Sequence, residues 1–475
     1  MINLIIQISK YITTILIVLY TFFGFTAFRG SNKARQKRAF RKQRVLMYLI
    51  HLICHVCLYL NTQDFTIIIL YAAEVVLLAV MNALYVSIYK SLSRLILNNT
   101  LMLLTIGFIM LTRLSVSYGK RQLVIAGATL AVCLIVPVVI DKFKYLKNFG
   151  IFYAIVGLGM LLLVFVPGIG VEKYGARNWI NVHGFQFQPM EIVKILFVLC
   201  IASFLAVETL NFRRVVLVTL VAAVFVCVLV AEKDLGGALI FFMTYLLMLF
   251  VATSNVLYLI AGTLAGCAGG YGAYKLFAHV QRRVLAWKDP WGQIDDAGYQ
   301  LAQSLLAIGT GGWFGMGLGQ GLPTDIPVRE SDFIFSAIAE ELGTVFAICI
   351  VLIHLTCFIM FINIALKMKR PFYKLAATGF STLYIFQVFL NVGGATQFVP
   401  STGVTLPLVS YGGSSVISKL LIFSVIQGLY VLNQTEQKEE ERLAAQQNEM
   451  FYDEESLHPY DENNGEEGDG SDEER

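Results

Sequence analysis

The chain has 475 residues, 57% of them hydrophobic and 14% charged, with a formal net charge of +4. A soluble domain carries about 45–50% apolar and roughly 25% charged residues, so this balance excludes an ordinary soluble fold and indicates a polytopic membrane protein. The long apolar runs lack the short alternating segments of a β-barrel. An all-α architecture is expected instead, because helices satisfy their own backbone groups in lipid.

At about 20 residues per span, apolar helices are expected near 4–28, 45–61, 65–88, 98–113, 122–140, 148–167, 191–207, 214–231, 235–252, 256–277, 333–363, 373–393 and 410–432. The total is about thirteen. Met1 to Phe28 lacks a basic start and a small-residue cleavage site, so no removable signal peptide is expected there. The following loop carries Arg29, Lys33, Arg35, Lys37, Arg38, Arg41, Lys42 and Arg44. Basic loops stay cytoplasmic, which puts the N-terminus outside. Counting onward, Lys90/Arg94, Asp141 to Lys147, Arg213/Arg214 and Lys367/Lys369/Arg370 also fall inside. The loops at 168–190, 278–332 and 394–409 then lie outside. The basic loop would also attract anionic lipid or nucleic acid, but setting topology is the plainer reading.

The 8 cysteines all lie in apolar runs, which argues against a disulfide framework. His51, Cys54, His55 and Cys57 look superficially like metal ligands. Cys54-x-x-Cys57 has no second pair, however, so zinc is not expected there. From Glu436 the chain turns acidic and polar and is expected to form a disordered cytoplasmic tail, with room for a short helix at Glu439–Asn448.

The expected outer loops hold most of the polar, glycine-rich sequence. Gly175-Ala-Arg177-Asn178-Trp179 suits an interfacial anchor or an anion site. Phe187-Gln188-Pro189-Met-Glu191-Ile-Val-Lys194 opens a helix, with proline in the first turn and Lys194 within reach of Glu191. Glu232-Lys233-Asp234 is a charged cluster between two spans, as fit for a structural ion pair as for a site. Gln281-Arg282-Arg283 starts the longest loop. This loop ends in Gly309-Thr-Gly311-Gly312-Trp-Phe-Gly315-Met-Gly317-Leu-Gly319-Gln-Gly321, too glycine-rich for a stable helix and without the Gly-Lys-Ser/Thr of a nucleotide loop. Arg329-Glu-Ser-Asp332 then meets an apolar run. A carboxylate there suits a helix N-terminus, and partial burial would shift its pKa. Glu340 and Glu341, about two turns on, need a cavity, a pathway or a partner cation. Pro400 to Ser415 reads as a shaped reentrant turn entering the last span.

Together these segments resemble the SEDS (shape, elongation, division and sporulation) family of FtsW, RodA and SpoVE. The resemblance rests on Gly175-Ala-Arg-Asn-Trp, Phe187 to Lys194, Asp234-Leu-Gly, Gly298-Tyr-Gln-Leu-Ala-Gln-Ser304, Gly309 to Gly319, Ser331-Asp-Phe-Ile-Phe335, Glu340-Glu-Leu-Gly343 and Thr402 to Ser415. It covers roughly 97–433 and implies a core of about ten transmembrane helices, preceded by about three extra helices in 1–96 and followed by the tail at 434–475. Two motifs depart from the family pattern. Lys233 replaces the proline of Pro-Asp-Leu-Gly, and Pro327-Val-Arg-Glu-Ser replaces Pro-Glu-Ala-His-Thr. The extra helices have no family counterpart, and Glu74 and Asn82 are their polar candidates for docking a partner.

The resemblance implies a peptidoglycan glycosyltransferase that polymerises lipid II at the outer face of the bacterial cytoplasmic membrane, beside a class B penicillin-binding protein. Asp332 matches the acid regarded as essential and would act as general base. Arg177, Lys194, Arg282, Arg283 and Arg329 would stabilise the leaving pyrophosphate, with Gln188, Glu191, Asp234, Ser410 and Ser414 also placed at the substrate. A divalent cation (Mg or Mn) is the expected helper, with no nucleotide and no nucleic-acid partner. The competing readings are a lipid II flippase and a non-catalytic cell-wall scaffold.

Overall fold

The computed structural model describes residues 2–457 except 29–32, 144, 174–175, 183–184 and 208–209. The end of the acidic tail, 458–475, thus lies outside the described residues. The helices are α1 (Ile2–Thr26), α2 (Lys33–Thr62), α3 (Thr66–Ile88), α4 (Arg94–Leu114), α5 (Val116–Lys142), α6 (Gly150–Leu162), α7 (Pro189–Leu205), α8 (Phe212–Ala231), α9 (Leu235–Thr253), α10 (Val256–Leu276), α11 (Ala278–Lys288), α12 (Tyr299–Gly311), α13 (Ile334–Leu342), α14 (Thr344–Lys367), α15 (Pro371–Ala395) and α16 (Gly413–Leu457). Among the described residues, twelve helices are long and apolar enough to cross a membrane. The 17-residue α7 is the remaining apolar helix of the thirteen expected spans. The chain is a multi-pass, all-α membrane protein.

Local chemistry sets the helix ends. Pro189 and Pro371 occupy first turns, where the missing N–H costs nothing. Asp234 caps α9 by accepting the Gly237 N–H at 2.8 Å. α4 is the buried axis of the bundle, with every residue from Leu95 to Thr112 enclosed. Its two buried asparagines are satisfied by neighbouring helices: Asn98 donates to the Phe40 carbonyl at 3.0 Å, and Asn99 donates to the Thr356 hydroxyl at 2.8 Å. Pairing of this kind is what makes amides tolerable among apolar helices. α2, α3, α5, α14 and α16 pack against α4, and α1 packs against α2 and α14.

Five details differ from the sequence expectation, the first being that the expected loop at 278–332 contains α11 and α12. The single span at 333–363 is two helices, α13 and α14, broken at Gly343. Its φ of +93° is open to glycine, and the Glu341 carbonyl and the Gly343 N–H both lie against Gly315. The expected loop at 168–190 contains an antiparallel sheet, β1 (Gly170–Lys173), β2 (Ala176–Val182) and β3 (Phe185–Phe187), in which Ile180 pairs with both Gly170 and Phe187. The second helix starts at Lys33, so most of the basic loop is helical. The last helix runs on through Leu457, well past Leu432.

The three N-terminal helices do more than pad the bundle. Lys10 on α1 donates to the Gly315 carbonyl at 3.0 Å, Gln7 to that of Met316 at 3.1 Å, and Asn61 on α2 to that of Gly319 at 3.2 Å. The Tyr11 ring lies 5.3 Å from that of Phe314. The glycine-rich segment that leads to Asp332 is thereby braced from outside the core.

Candidate active site

Asp332 sits in the turn that enters α13, two residues before Ile334, and its backbone is held from several elements. Asn391 on α15 donates to the Asp332 carbonyl at 2.9 Å and to that of Val404 at 2.7 Å. The Ser410 hydroxyl donates to the Ser331 carbonyl at 2.6 Å, and the Tyr411 N–H to the Glu330 carbonyl at 2.7 Å. The segment before α13 is therefore pinned to the 400–412 turn, and Asp332 is placed by main-chain contacts on both sides. A side chain whose backbone is fixed this way loses little freedom when it engages a ligand.

The half-buried Asp332 carboxyl forms part of the wall of a cavity of about 1400 Å³. Burial raises its pKa to about 6, while the Ser331 hydroxyl at 3.0 Å and the charge of Arg283 pull the other way. Gly403 closes the wall beside it: a Cβ there would lie 3.6 Å from Asp332 Oδ2 and 3.9 Å from Arg283 Nη2. Lys120, Arg121, Lys233, Arg282 and Arg283 all line the cavity, against the acids Asp234, Glu330 and Asp332. A site with this surplus of cations suits an anionic ligand. The volume exceeds the roughly 300–1,000 Å³ of common small-ligand pockets.

The structure brings together only some of the residues expected at the substrate. Asp332, Asp234, Arg282, Arg283, Gln188 and Ser414 line the cavity. Asp234 is already committed to the α9 cap and to Asn178, whose amide donates at 2.9 Å. Arg177, Lys194, Glu191, Arg329 and Ser410 do not line it. The Arg177 N–H tethers β2 to the Glu232 carbonyl at 3.1 Å, and Arg329 donates to the Thr324 carbonyl at 3.1 Å. Ser410 is buried, accepting the Leu406 N–H while donating to Ser331.

Glu191 and Lys194 belong to a buried network behind the cavity. Glu191 receives Lys194 at 2.8 Å and Lys419 of α16 at 2.8 Å, with the Ser418 hydroxyl at 2.7 Å. Lys194 also donates to Gln387 at 3.3 Å, and Gln387 in turn donates to the Thr405 carbonyl at 3.0 Å. One carboxylate facing two ammoniums leaves no anion unpaired, and the network ties α7, α15 and α16 to the 400–412 turn. Glu340 and Glu341 find partners instead of a pathway. Arg113 meets Glu341 at 2.8 Å, and the Gly319 and Leu322 N–H groups donate to Glu341 and Glu340 at 3.1 and 3.0 Å.

The ion pair that Glu232-Lys233-Asp234 suggested does not form. Glu232 is buried with Oε1 unpartnered, and desolvation, then the nearby Asp234, push its pKa to about 9. It is held neutral, so it needs no counter-ion. Sequence reasoning missed Lys419, Arg113, Lys120 and Arg121. A lysine within the last apolar span was a readable signal. Arg113, Lys120 and Arg121 flank a helix junction and look like ordinary interfacial charges.

A multi-pass helical protein with a cation-rich cavity around one half-buried aspartate is the class this architecture defines. The chain belongs to the cell cycle protein family of FtsW, RodA and SpoVE, whose model matches residues 93–435. It is 35% identical over 299 residues to the peptidoglycan glycosyltransferase RodA of Mycobacterium tuberculosis, a match spanning 60% of this chain and 64% of that one. It is 33% identical over 346 residues to stage V sporulation protein E of Bacillus subtilis, covering 69% of this chain and 93% of the other. Among solved structures, a chain of a peptidoglycan synthase complex that coordinates polymerization and crosslinking matches with a TM-score of 0.61 and 26% identity. That match covers 72% of this chain and 98% of the other.

Proposed function

We propose that this protein is a peptidoglycan glycosyltransferase that polymerises lipid II, with Asp332 as general base. The observation that carries the reading is a half-buried aspartate, raised to a pKa of about 6, on the wall of a large cation-lined cavity. The name of the RodA relative points to the same chemistry. Lipid II brings its own pyrophosphate leaving group, so polymerisation needs no nucleotide. The acceptor hydroxyl is a poor nucleophile, and a carboxylate within hydrogen-bond reach removes its proton as the new C–O bond forms. The departing pyrophosphate is a stable anion that requires charge stabilisation, not protonation. Arg282 and Arg283, with Lys120, Arg121 and Lys233, supply that charge. A second catalytic carboxylate of the glycosidase type is unnecessary. Attack opposite the leaving group inverts the anomeric centre.

A divalent ion such as magnesium or manganese fits this arrangement. Among the described residues no group of three metal-ligating side chains lines the cavity. Magnesium is commonly held by one or two carboxylates plus substrate phosphates, so Glu330, which also lines the cavity, would share the ion with the pyrophosphate and leave Asp332 free as the base. The ion would supply further charge neutralisation. The charge pattern of the loops orients the cavity to the outer face of the bacterial cytoplasmic membrane, with the N-terminus outside and the C-terminus cytoplasmic. The expected partner is a class B penicillin-binding protein, whose transpeptidase would crosslink the strands, in keeping with the assembly to which the solved relative belongs.

The test is polymerisation of labelled lipid II by the purified full chain with its cognate penicillin-binding protein and magnesium or manganese. A ladder of glycan strands with inverted linkages is the expected result. No ladder from a folded complex of confirmed composition overturns the reading.

A further inference from the structure

Among the helices that precede the family match, three ionisable side chains meet where hydrocarbon should surround them. His51 and His55 are one turn apart on α2, and Glu74 faces them from α3. Their exposures are 0%, 3% and 0%. His51 Nε2 lies 2.9 Å and His55 Nε2 3.1 Å from the same Glu74 oxygen, Oε2. One potential ligand atom from each residue falls within 4.8 Å of the others.

The hydrogen bonding around these atoms is incomplete. His55 Nδ1 is 3.1 Å from the His51 carbonyl, and a carbonyl only accepts, so Nδ1 carries the hydrogen. In a neutral ring this leaves His55 Nε2 with a lone pair aimed at a carboxylate oxygen. Two acceptors at that distance repel unless a cation lies between them. His55 Nε2, Glu74 Oε1 and His51 Nδ1 are all buried without a hydrogen-bond partner. Ionisable groups are costly among apolar helices, and unsatisfied polar atoms add to the cost.

We propose that His51, His55 and Glu74 form a binding site for a zinc-class divalent cation that clamps α2 to α3. Two imidazoles and a carboxylate are a ligand set zinc accepts, with a fourth position left open. Ligand atoms at about 2.0–2.1 Å around a tetrahedral zinc lie ~3.3 Å from one another, close to the two separations seen. The His55 Nδ1–H bond to the His51 carbonyl is the outer contact that fixes a metal-binding imidazole in the correct tautomer. The neighbouring cysteines take no part. Cys57 donates to the Ser9 hydroxyl at 3.1 Å, and Cys54 is buried outside the cluster.

The experiment uses the full chain in detergent, loaded with zinc chloride, desalted and assayed for bound metal, beside His55→Gln, Glu74→Gln and Cys54→Ser. Wild type and Cys54→Ser should each hold about one zinc per chain. The two ligand variants should hold ~10-fold less or lower still. Zinc should also raise the melting temperature of wild type but not of the ligand variants. Because a ligand variant can fail to fold, chelator-stripped wild type is also titrated with cobalt, which should develop the visible absorption of a low-coordinate imidazole site. Wild type that holds no zinc and gives no such spectrum contradicts the proposal and assigns the cluster to a shared proton. Equal zinc in wild type and in a folded His55→Gln chain contradicts it as well.

Discussion

Asp332 is pulled in two directions, and the balance fixes where it can work. Desolvation raises its pKa, the Ser331 hydroxyl and Arg283 lower it, and the result is about 6. A general base acts as the carboxylate, so transferase activity should rise with pH, level off above about 6 and fall ~10-fold for each unit below it. Because the Arg283 charge lowers that value, Arg283→Gln should move the inflection upward in a pH–rate profile. An unmoved inflection would remove Arg283 from the electrostatics of the base. Gly403 offers a second residue-level prediction. At φ +75° an alanine is strained by roughly 1–2 kcal/mol, and its methyl would face Asp332 Oδ2 at 3.6 Å. Gly403→Ala should lower turnover ~10–100-fold through misplacement with little loss of expression. Asp332 was legible in the sequence because a polar stretch meets an apolar run there. Arg113 was not, since its partner Glu341 is 228 residues away and nothing local marks the pair.

Elements joined through buried charge should fail together. Glu191→Gln leaves Lys194 and Lys419 facing each other without an anion, and breaking a buried pair in this way costs about 3–5 kcal/mol. Ser418→Ala removes the hydroxyl's contacts to Glu191, Lys419 and the Ser415 carbonyl but leaves the opposite charges paired, so it should cost less, about 1.5–3 kcal/mol. Thermal unfolding in detergent separates the two, and equal melting temperatures would dismiss the network as a support for α7, α15 and α16. The turn between α8 and α9 gives a sharper case. Lys233 sits at φ +63° and donates its N–H to the Val230 carbonyl at 3.0 Å. Proline can adopt neither feature, so Lys233→Pro should destabilise by more than ~1 kcal/mol, whereas Lys233→Gly should be neutral or better. The sequence showed that a lysine stands where relatives carry proline. It did not show the left-handed backbone at Lys233, which proline cannot adopt. The α13–α14 break was hidden as well: Gly343 reads as a tolerated glycine until the backbone of Gly315 is laid against it.

Across the whole molecule, the N-terminal helices and the core meet at the glycine-rich segment. Losing the Lys10 and Asn61 side chains removes two bonds to that segment, and at ~1 kcal/mol each amide exchange between Gly312 and Gly321 should quicken ~10–30-fold. Unchanged exchange would make the added helices mere neighbours. The number of spans was legible at this scale because hydropathy reports on lipid directly. The sheet in the 168–190 segment was not, since three short strands leave no periodic signature long enough to separate them from loop. The cavity was equally invisible: its lining comes from α5, α11, α12, α16, the sheet and the turns around 233–234, 328–333 and 401–412, joined only by the tertiary fold. The most direct measurement compares glycan strands made from lipid II by wild type and by folded Asp332→Ala, each with the same penicillin-binding partner. Strands from wild type and ~100-fold fewer or none from the variant are the predicted outcome. Equal polymer from both would leave a glycosyltransferase whose base is not Asp332 and would contradict the mechanism.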